Sequence, residues 1–314
     1  MLRTLFLAGL WSCIGSGVIV PSAEANPAAV PIAVSSSPQV DVALVPAKGA
    51  LLGHYYGAGT IAQTDKRIGR RPQIHLTYFS WEDAWATAPS TRQDLKEGRI
   101  PLINWEPFDV EFKDIADGMY DDMVAKRADE AKALGTRFFL DFAAEMNEEE
   151  GWGGHDPKLY VQVFRHIHDI FIERGATNVV WVWCPNNVDS PGQPEALRYY
   201  PGNRYVDWVG IDGYNWGTSD PDQEWESFYE VFEDLYAKLA ATGKPVMIGE
   251  TASDERGGDK AKWIAEIVPT LRSRFPAVKA MIWFDTDKER HWRIDSSKPS
   301  LDAYRRMARD PYFN

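Results

Sequence analysis

Eight short apolar runs, separated by segments of helical period, constrain this chain more than any other feature. They read as strands at Ala50–Tyr56, Gln73–Phe79, Pro101–Trp105, Arg137–Phe142, Val179–Cys184, Trp208–Gly213, Val246–Gly249 and Ala280–Phe284. Most are continuous runs of β-formers, as expected for parallel strands buried on both faces. Between them the apolar positions recur at helical spacing: Tyr120, Met123, Val124, Ala128, Ala131 and Leu134; Tyr160, Phe164, Ile167 and Phe171; Phe228, Phe232, Leu235 and Leu239; Trp263, Ile267, Leu271 and Phe275. Gly135, Gly175 and Gly243 stand where helix C-terminal caps are expected. Strand and helix alternating eight times with right-handed crossovers predict α/β architecture closed as a single-domain (β/α)8 barrel. GHYYGAG at 53–59 lacks the glycine spacing of a dinucleotide-binding turn, which argues against an open nucleotide-binding sheet.

At 314 residues the chain has room for one such barrel, which typically takes roughly 250. Residues 1–25 read as a secretory signal peptide, with Arg3 before an apolar stretch and an A-x-A site at Ala23-Glu24-Ala25. Glycines and serines interrupt the stretch, which is short for a membrane span, so no integral membrane segment is expected in the mature chain. Cleavage near Ala25 implies a secreted or periplasmic protein. Residues 26–47, rich in Pro, Ala and Ser, read as a leader or linker, and 48–314 as the barrel. Cleavage also removes Cys13, so Cys184 is left without a disulfide partner and reads as a buried strand residue.

A formal net charge of −12 argues against nucleic acid and anionic membranes, which need a basic face. The 13 Trp, 13 Tyr and 14 Phe exceed what packing requires and suit sugar binding. His166 and His168 do not share a helical face, and the other histidines have no metal spacing, so neither metal nor cofactor is expected. Lys244 and Lys279 precede their strands, at the wrong end of a barrel for a Schiff base, and no G-x-S-x-G occurs.

Two apolar runs end in glutamate: FFLDFAAEMN at Glu145 and PVMIGET at Glu250. On the fourth and seventh strands, just past the strand ends, the two carboxyls face one another across the mouth where barrel enzymes do chemistry. One can protonate a glycosidic oxygen while the other, roughly 5 Å away, attacks the anomeric carbon. Asp141, Asp212, Asp285 and Glu106 compete as barrel carboxyls on this reasoning alone.

AEMN at 144–147, WVWCPN at 181–186, YYPGNRYVDWVGIDGYN at 199–215, KPVMIGET at 244–251 and AMIWFDTDKERHWRIDSS at 280–297 together resemble glycoside hydrolase family 26, whose members are retaining (β/α)8 glycanases. The resemblance implies Glu145 as acid/base, Glu250 as nucleophile, Tyr214 as the tyrosine that bonds the nucleophile, and Trp283 as an apolar floor beneath the sugar. Trp105, Trp152 and Trp216 are candidate stacking faces or else packing residues, and Asn147 and Asn186 candidate substrate contacts or else braces of the loop. The chain departs from mannan-cleaving members at Ala144, where they carry His, and in the Glu148-Glu149-Glu150 run that follows E-M-N. A monomeric endo-acting enzyme on the β-1,4 linkages of a polysaccharide is expected. β-Mannan is the first substrate, mixed-linkage β-glucan or an exopolysaccharide the alternative, β-1,3-xylan a third, and a non-catalytic carbohydrate-binding barrel the reading from another class.

Overall fold

The computed structural model describes residues 44–313 apart from 58, 150, 220 and 221. The expected signal peptide and cleavage site, Cys13, Glu150 and most of the expected leader lie outside the described residues. Strands β1 (Leu51–Tyr55), β2 (Ile74–Ser80), β3 (Ile100–Glu106), β4 (Phe138–Phe142), β5 (Val179–Trp183), β6 (Trp208–Asn215), β7 (Val246–Ser253) and β8 (Val278–Phe284) pair in sequence order, and β8 closes on β1. Every pairing is parallel, as a (β/α)8 barrel requires. Helices α1 (Ile61–Ile68), α2 (Pro89–Glu97), α3 (Phe112–Ala116), α4 (Asp121–Ala133), α5 (Pro157–Arg174), α6 (Phe228–Ala240), α7 (Lys260–Ser273) and α8 (Lys298–Ala308) run between and after the strands.

The alternation departs from the expected one at two connections. Two helices, α3 and α4, join β3 to β4, while a short 3-10 turn at Ala196–Tyr199 is the helical element described between β5 and β6. Helices α1 and α2 escaped the periodicity reading because the residues they bury are partly polar: Thr64 beside Ile68, and Thr91 with Asp94. Helix α5 shows the legible case. Asp156 accepts the first free N–H groups, Pro157 starts the helix, Tyr160, Phe164, Ile167 and Phe171 bury one stripe, and Gly175 ends it in the left-handed region at φ 74°.

Alternate residues of each strand separate two cores. Ile74, Leu76, Leu102, Phe139, Val180, Val182, Trp208, Met247, Ala280 and Ile282 fill the inside of the barrel. Trp105, Trp181, Trp183 and Trp283 belong to the outer layer packed against the helices. In that layer Trp105 stacks on Trp81 at 4.6 Å and its indole N–H donates to the Trp81 carbonyl. Much of the aromatic surplus therefore serves the fold: deleting such a ring costs roughly 3–5 kcal/mol.

Candidate active site

The mouth is set by whichever inward positions come last on each strand. These are Tyr55, Tyr78, Glu106, Tyr214 and Phe284, above a lower band of Asn104, Asp141, Cys184 and Asp212. Glu250 joins them through an irregularity. Met247 points inward and Ile248 outward, so plain alternation would turn Glu250 toward the helices. One extra residue in β7 shifts the register against both neighbours: Ile211 pairs with Ile248 but Asp212 with Glu250, and Met281 pairs with Ile248 but Trp283 with Thr251. This β-bulge at Gly249 re-aims Glu250 into the barrel. The strand runs on to Ser253, so Glu250 lies inside β7 rather than just past it, as the sequence had suggested.

Gly249 is itself required. A Cβ there would stand 2.6 Å from Asp212 Oδ1 and 2.8 Å from Cys184 Sγ, atoms already joined by a 3.2 Å S–H···O contact. Gly249→Ala is expected to destabilise the fold by about 1–3 kcal/mol and to lower turnover by displacing Asp212, the register partner of Glu250. Chemical denaturation beside kcat checks this, and unchanged values for both would show that the bulge has slack.

Glu145 reaches the mouth by a different route. It follows β4 by three residues, with φ 55° at Glu145 and 52° at Ala143, a region non-glycine residues seldom occupy. The turn is held from both sides: Ala143 N–H donates to the Trp105 carbonyl and Glu145 N–H to the Cys184 carbonyl at 2.8 Å. The Asn186 side chain donates to Glu145 Oε1 at 2.9 Å and also to Glu148 Oε1 at 2.6 Å. Of the acidic run, Glu148 thus shares a donor with Glu145, whereas Glu149 is exposed.

Glu250, nearly buried, accepts one phenol hydrogen on each oxygen, Tyr78 on Oε1 and Tyr214 on Oε2. Tyr78 gave no sequence signal beyond sitting inward at the end of a strand. Burial and then the neighbouring Glu145 charge push Glu250 up to about 8, against the two phenol donors, which favour its charged form. Burial also raises Glu145, opposed by the Asn186 hydrogen bond and the Lys288 ammonium. Burial and Glu145 bring Glu106 to about 7, and Asp141 and Asp212 are raised well above the usual carboxylate range by burial and then by Glu250. Five interacting carboxyls so placed share protons at neutral pH. Asp285 is apart from them: it lies on the outer side, 3.2 Å from His54, and its Oδ1 accepts from Ile294 N–H.

Several candidate contacts are corrected. Trp283 is fully buried, donates to the Trp292 carbonyl and packs against Trp263 and Tyr304, so it presents no face to a sugar. The inward position is the next one, Phe284, which stacks on Tyr55 at 4.8 Å and meets Tyr214 edge-on. Trp105 is equally buried on the outer side. Asn147 is spent on bracing, donating to Asn186 and Asp189 and accepting from Asn186 N–H, with none of its surface exposed. Trp152 and Trp216 stay partly exposed at the rim. Trp152 donates to the Ala144 carbonyl and meets the exposed Phe108 at 5.1 Å, and Trp216 packs on Trp292 beneath Arg290.

Comparison with known proteins adds to this geometry. The sequence model described as Glycosyl hydrolase family 26 matches residues 93–291. Endoglucanase H of Acetivibrio thermocellus is 36% identical over 266 residues, 82% of this chain and 30% of that protein. Mannan endo-1,4-beta-mannosidase A and B of Caldalkalibacillus mannanilyticus is 25% identical over 204 residues, 62% of this chain and 35% of that protein. The chain thus spans about a third of the length of these curated relatives. The solved Bacillus subtilis mannanase man26 superposes with TM-score 0.61 at 20% identity, covering 82% of this chain and 86% of that one, a likeness of fold.

Proposed function

This chain belongs to glycosyl hydrolase family 26, and on that premise we propose that it hydrolyses internal β-1,4 linkages of a β-glucan with retention of configuration. The observation that carries the reading is the unequal holding of two facing carboxyls. Two phenol hydrogens support the charged form of Glu250, while Glu145 receives one amide hydrogen from Asn186. The two carboxyls share a proton at neutral pH, and in the form that reacts it lies on Glu145, with the charge on Glu250 held by the two phenols. In the first step the Glu250 carboxylate attacks the anomeric carbon, the glycosidic C–O bond breaks, and Glu145 gives its proton to the departing oxygen. In the second, Glu145 takes a proton from water, whose oxygen displaces Glu250 from the sugar. Phe284 and Tyr55 supply the apolar wall beside the reacting sugar, and Trp152 with Phe108 and Trp216 supply stacking faces along the rim.

Glucan is preferred to mannan because the relative at 36% identity is named an endoglucanase, whereas the mannosidase aligns at 25%, and because Ala144 supplies no imidazole beside the acid. Export is part of the same proposal, supported by the A-x-A site at Ala23–Ala25. The test is reducing-sugar release by residues 26–314 on mixed-linkage β-glucan, unsubstituted β-1,4-glucan and β-mannan, with viscosity followed in parallel. The expected result is glucan cleavage whose viscosity falls ahead of new reducing ends, as internal cuts require. Release from mannan alone would replace the substrate, and binding without release from any polymer would favour a carbohydrate-binding barrel.

A further inference from the structure

Lys260 is fully buried at the first turn of α7, the end of a helix where the backbone dipole opposes a cation. Nothing in α7 explains a lysine there, and burial lowers it to about 8. What the ammonium does is gather a loop. Its three N–H groups go to the His291 carbonyl at 2.7 Å, the Arg293 carbonyl at 2.8 Å and Ser296 Oγ at 2.9 Å, which uses its full donor capacity. Trp283, 5.9 Å from the same ammonium, donates to the Trp292 carbonyl in the middle of that segment.

The segment so folded leads to the catalytic carboxyl. Trp292, 1% exposed, packs its ring 4.9 Å from Tyr214 and 5.1 Å from Trp216, and Tyr214 donates to Glu250. Lys288 rides on the same loop, and its charge bears on Glu106, Glu145 and Glu250. We propose that Lys260 is a positioning residue for Glu250, clamping residues 291–296 so that Trp292 holds the Tyr214 hydroxyl against the carboxylate. The proposal rests on reading Glu250 as the nucleophile.

The test uses Lys260→Met, Trp292→Ala, the double variant and the milder Ser296→Ala in the full mature chain. Two readouts are taken: kcat and KM on the cleaved polymer, and the Glu250 carboxyl titration by 13C NMR without substrate, assigned with Glu250→Gln. The groups facing that carboxyl are Tyr55, Tyr78, Tyr214, Glu106, Asp141, Glu145, Cys184, Asp212 and Lys288. Lys260→Met is expected to lower kcat about tenfold at nearly constant KM. Its Glu250 titration should move to higher pH, because a displaced Tyr214 no longer favours the charged form. Trp292→Ala should do the same, and the double variant should lose no more than either single one. A folded Lys260→Met with wild-type titration and kcat, or additive losses in the double variant, would overturn the proposal. Should Lys260→Met not fold, Ser296→Ala decides: a smaller shift in the same direction supports the clamp, and an unmoved titration rejects it. A wild type inactive on every polymer would sink the hydrolase reading, yet the NMR titration would still decide the clamp.

Discussion

Glu250→Ala is expected to lower kcat on the order of 10⁵-fold with the barrel intact, because the proposed covalent step loses the carboxylate that attacks the anomeric carbon. Asp212, its strand partner, is directed into the lower band against Cys184. The companion substitution separates the two roles. Glu145→Ala should lose much less on an aryl glycoside with a good leaving group, which needs no proton, and azide should recover part of its turnover as a glycosyl azide of retained configuration. Azide added to Glu250→Ala should instead give the inverted product. Exchanged stereochemistry between the two variants would reverse the assignment. Near-normal turnover of Glu250→Ala would remove the mechanism altogether.

The second large effect is on stability and carries the opposite sign. Glu250 is raised from 4.5 to about 8 and Glu106 to about 7, so the folded protein holds protons that the unfolded chain has released. With more protons bound in the native state, stability falls as pH rises. The stability these groups confer is complete below about pH 4.5, the unfolded value, and is lost as pH climbs through 7 to 8. Glu250→Gln keeps the shape and removes the ionisation. It should raise Tm by roughly 5 °C at pH 8 and by little at pH 5. Melting both proteins across that range is the check, and a difference independent of pH would show that ionisation of Glu250 is not what strains the site. One residue would then both enable turnover and destabilise the fold, as expected where two carboxyls are forced together in a buried cleft.

Legibility from the sequence followed the range of the interaction that decides each feature. The barrel, its strand count and four of its eight helices, α4 to α7, come from apolar period and end signals, which act within a few residues; α5, from Asp156 to Gly175, contains all of them. Helices α1 and α2 carry end signals, Thr60 and Gly69 in one and Pro89 and Gly98 in the other, but no clear apolar period, because the barrel wall accepts Thr64, Thr91 and Asp94. Glu145 and Glu250 were visible because each stands where an apolar run gives way to polar residues. Their partners were not equally visible. Nothing near Tyr78 announces a contact with a residue 172 positions away, and nothing near Lys260 announces the loop at 291–296.

What the chain by itself determined, then, is the alternation that closes a barrel and the pair of glutamates where two of its apolar runs give way to polar residues. What only the tertiary structure decided is which way the decisive side chains face. Trp283 and Phe284 are adjacent and both aromatic, yet one packs outside against α7 and α8 and the other stands in the mouth. Glu250 would face the helices but for one extra residue at Gly249. Facing is set by register between strands, and a one-residue slip turns every following side chain to the other face. Register is fixed by hydrogen bonds to neighbouring strands far away in sequence, so it exists only once the barrel has closed.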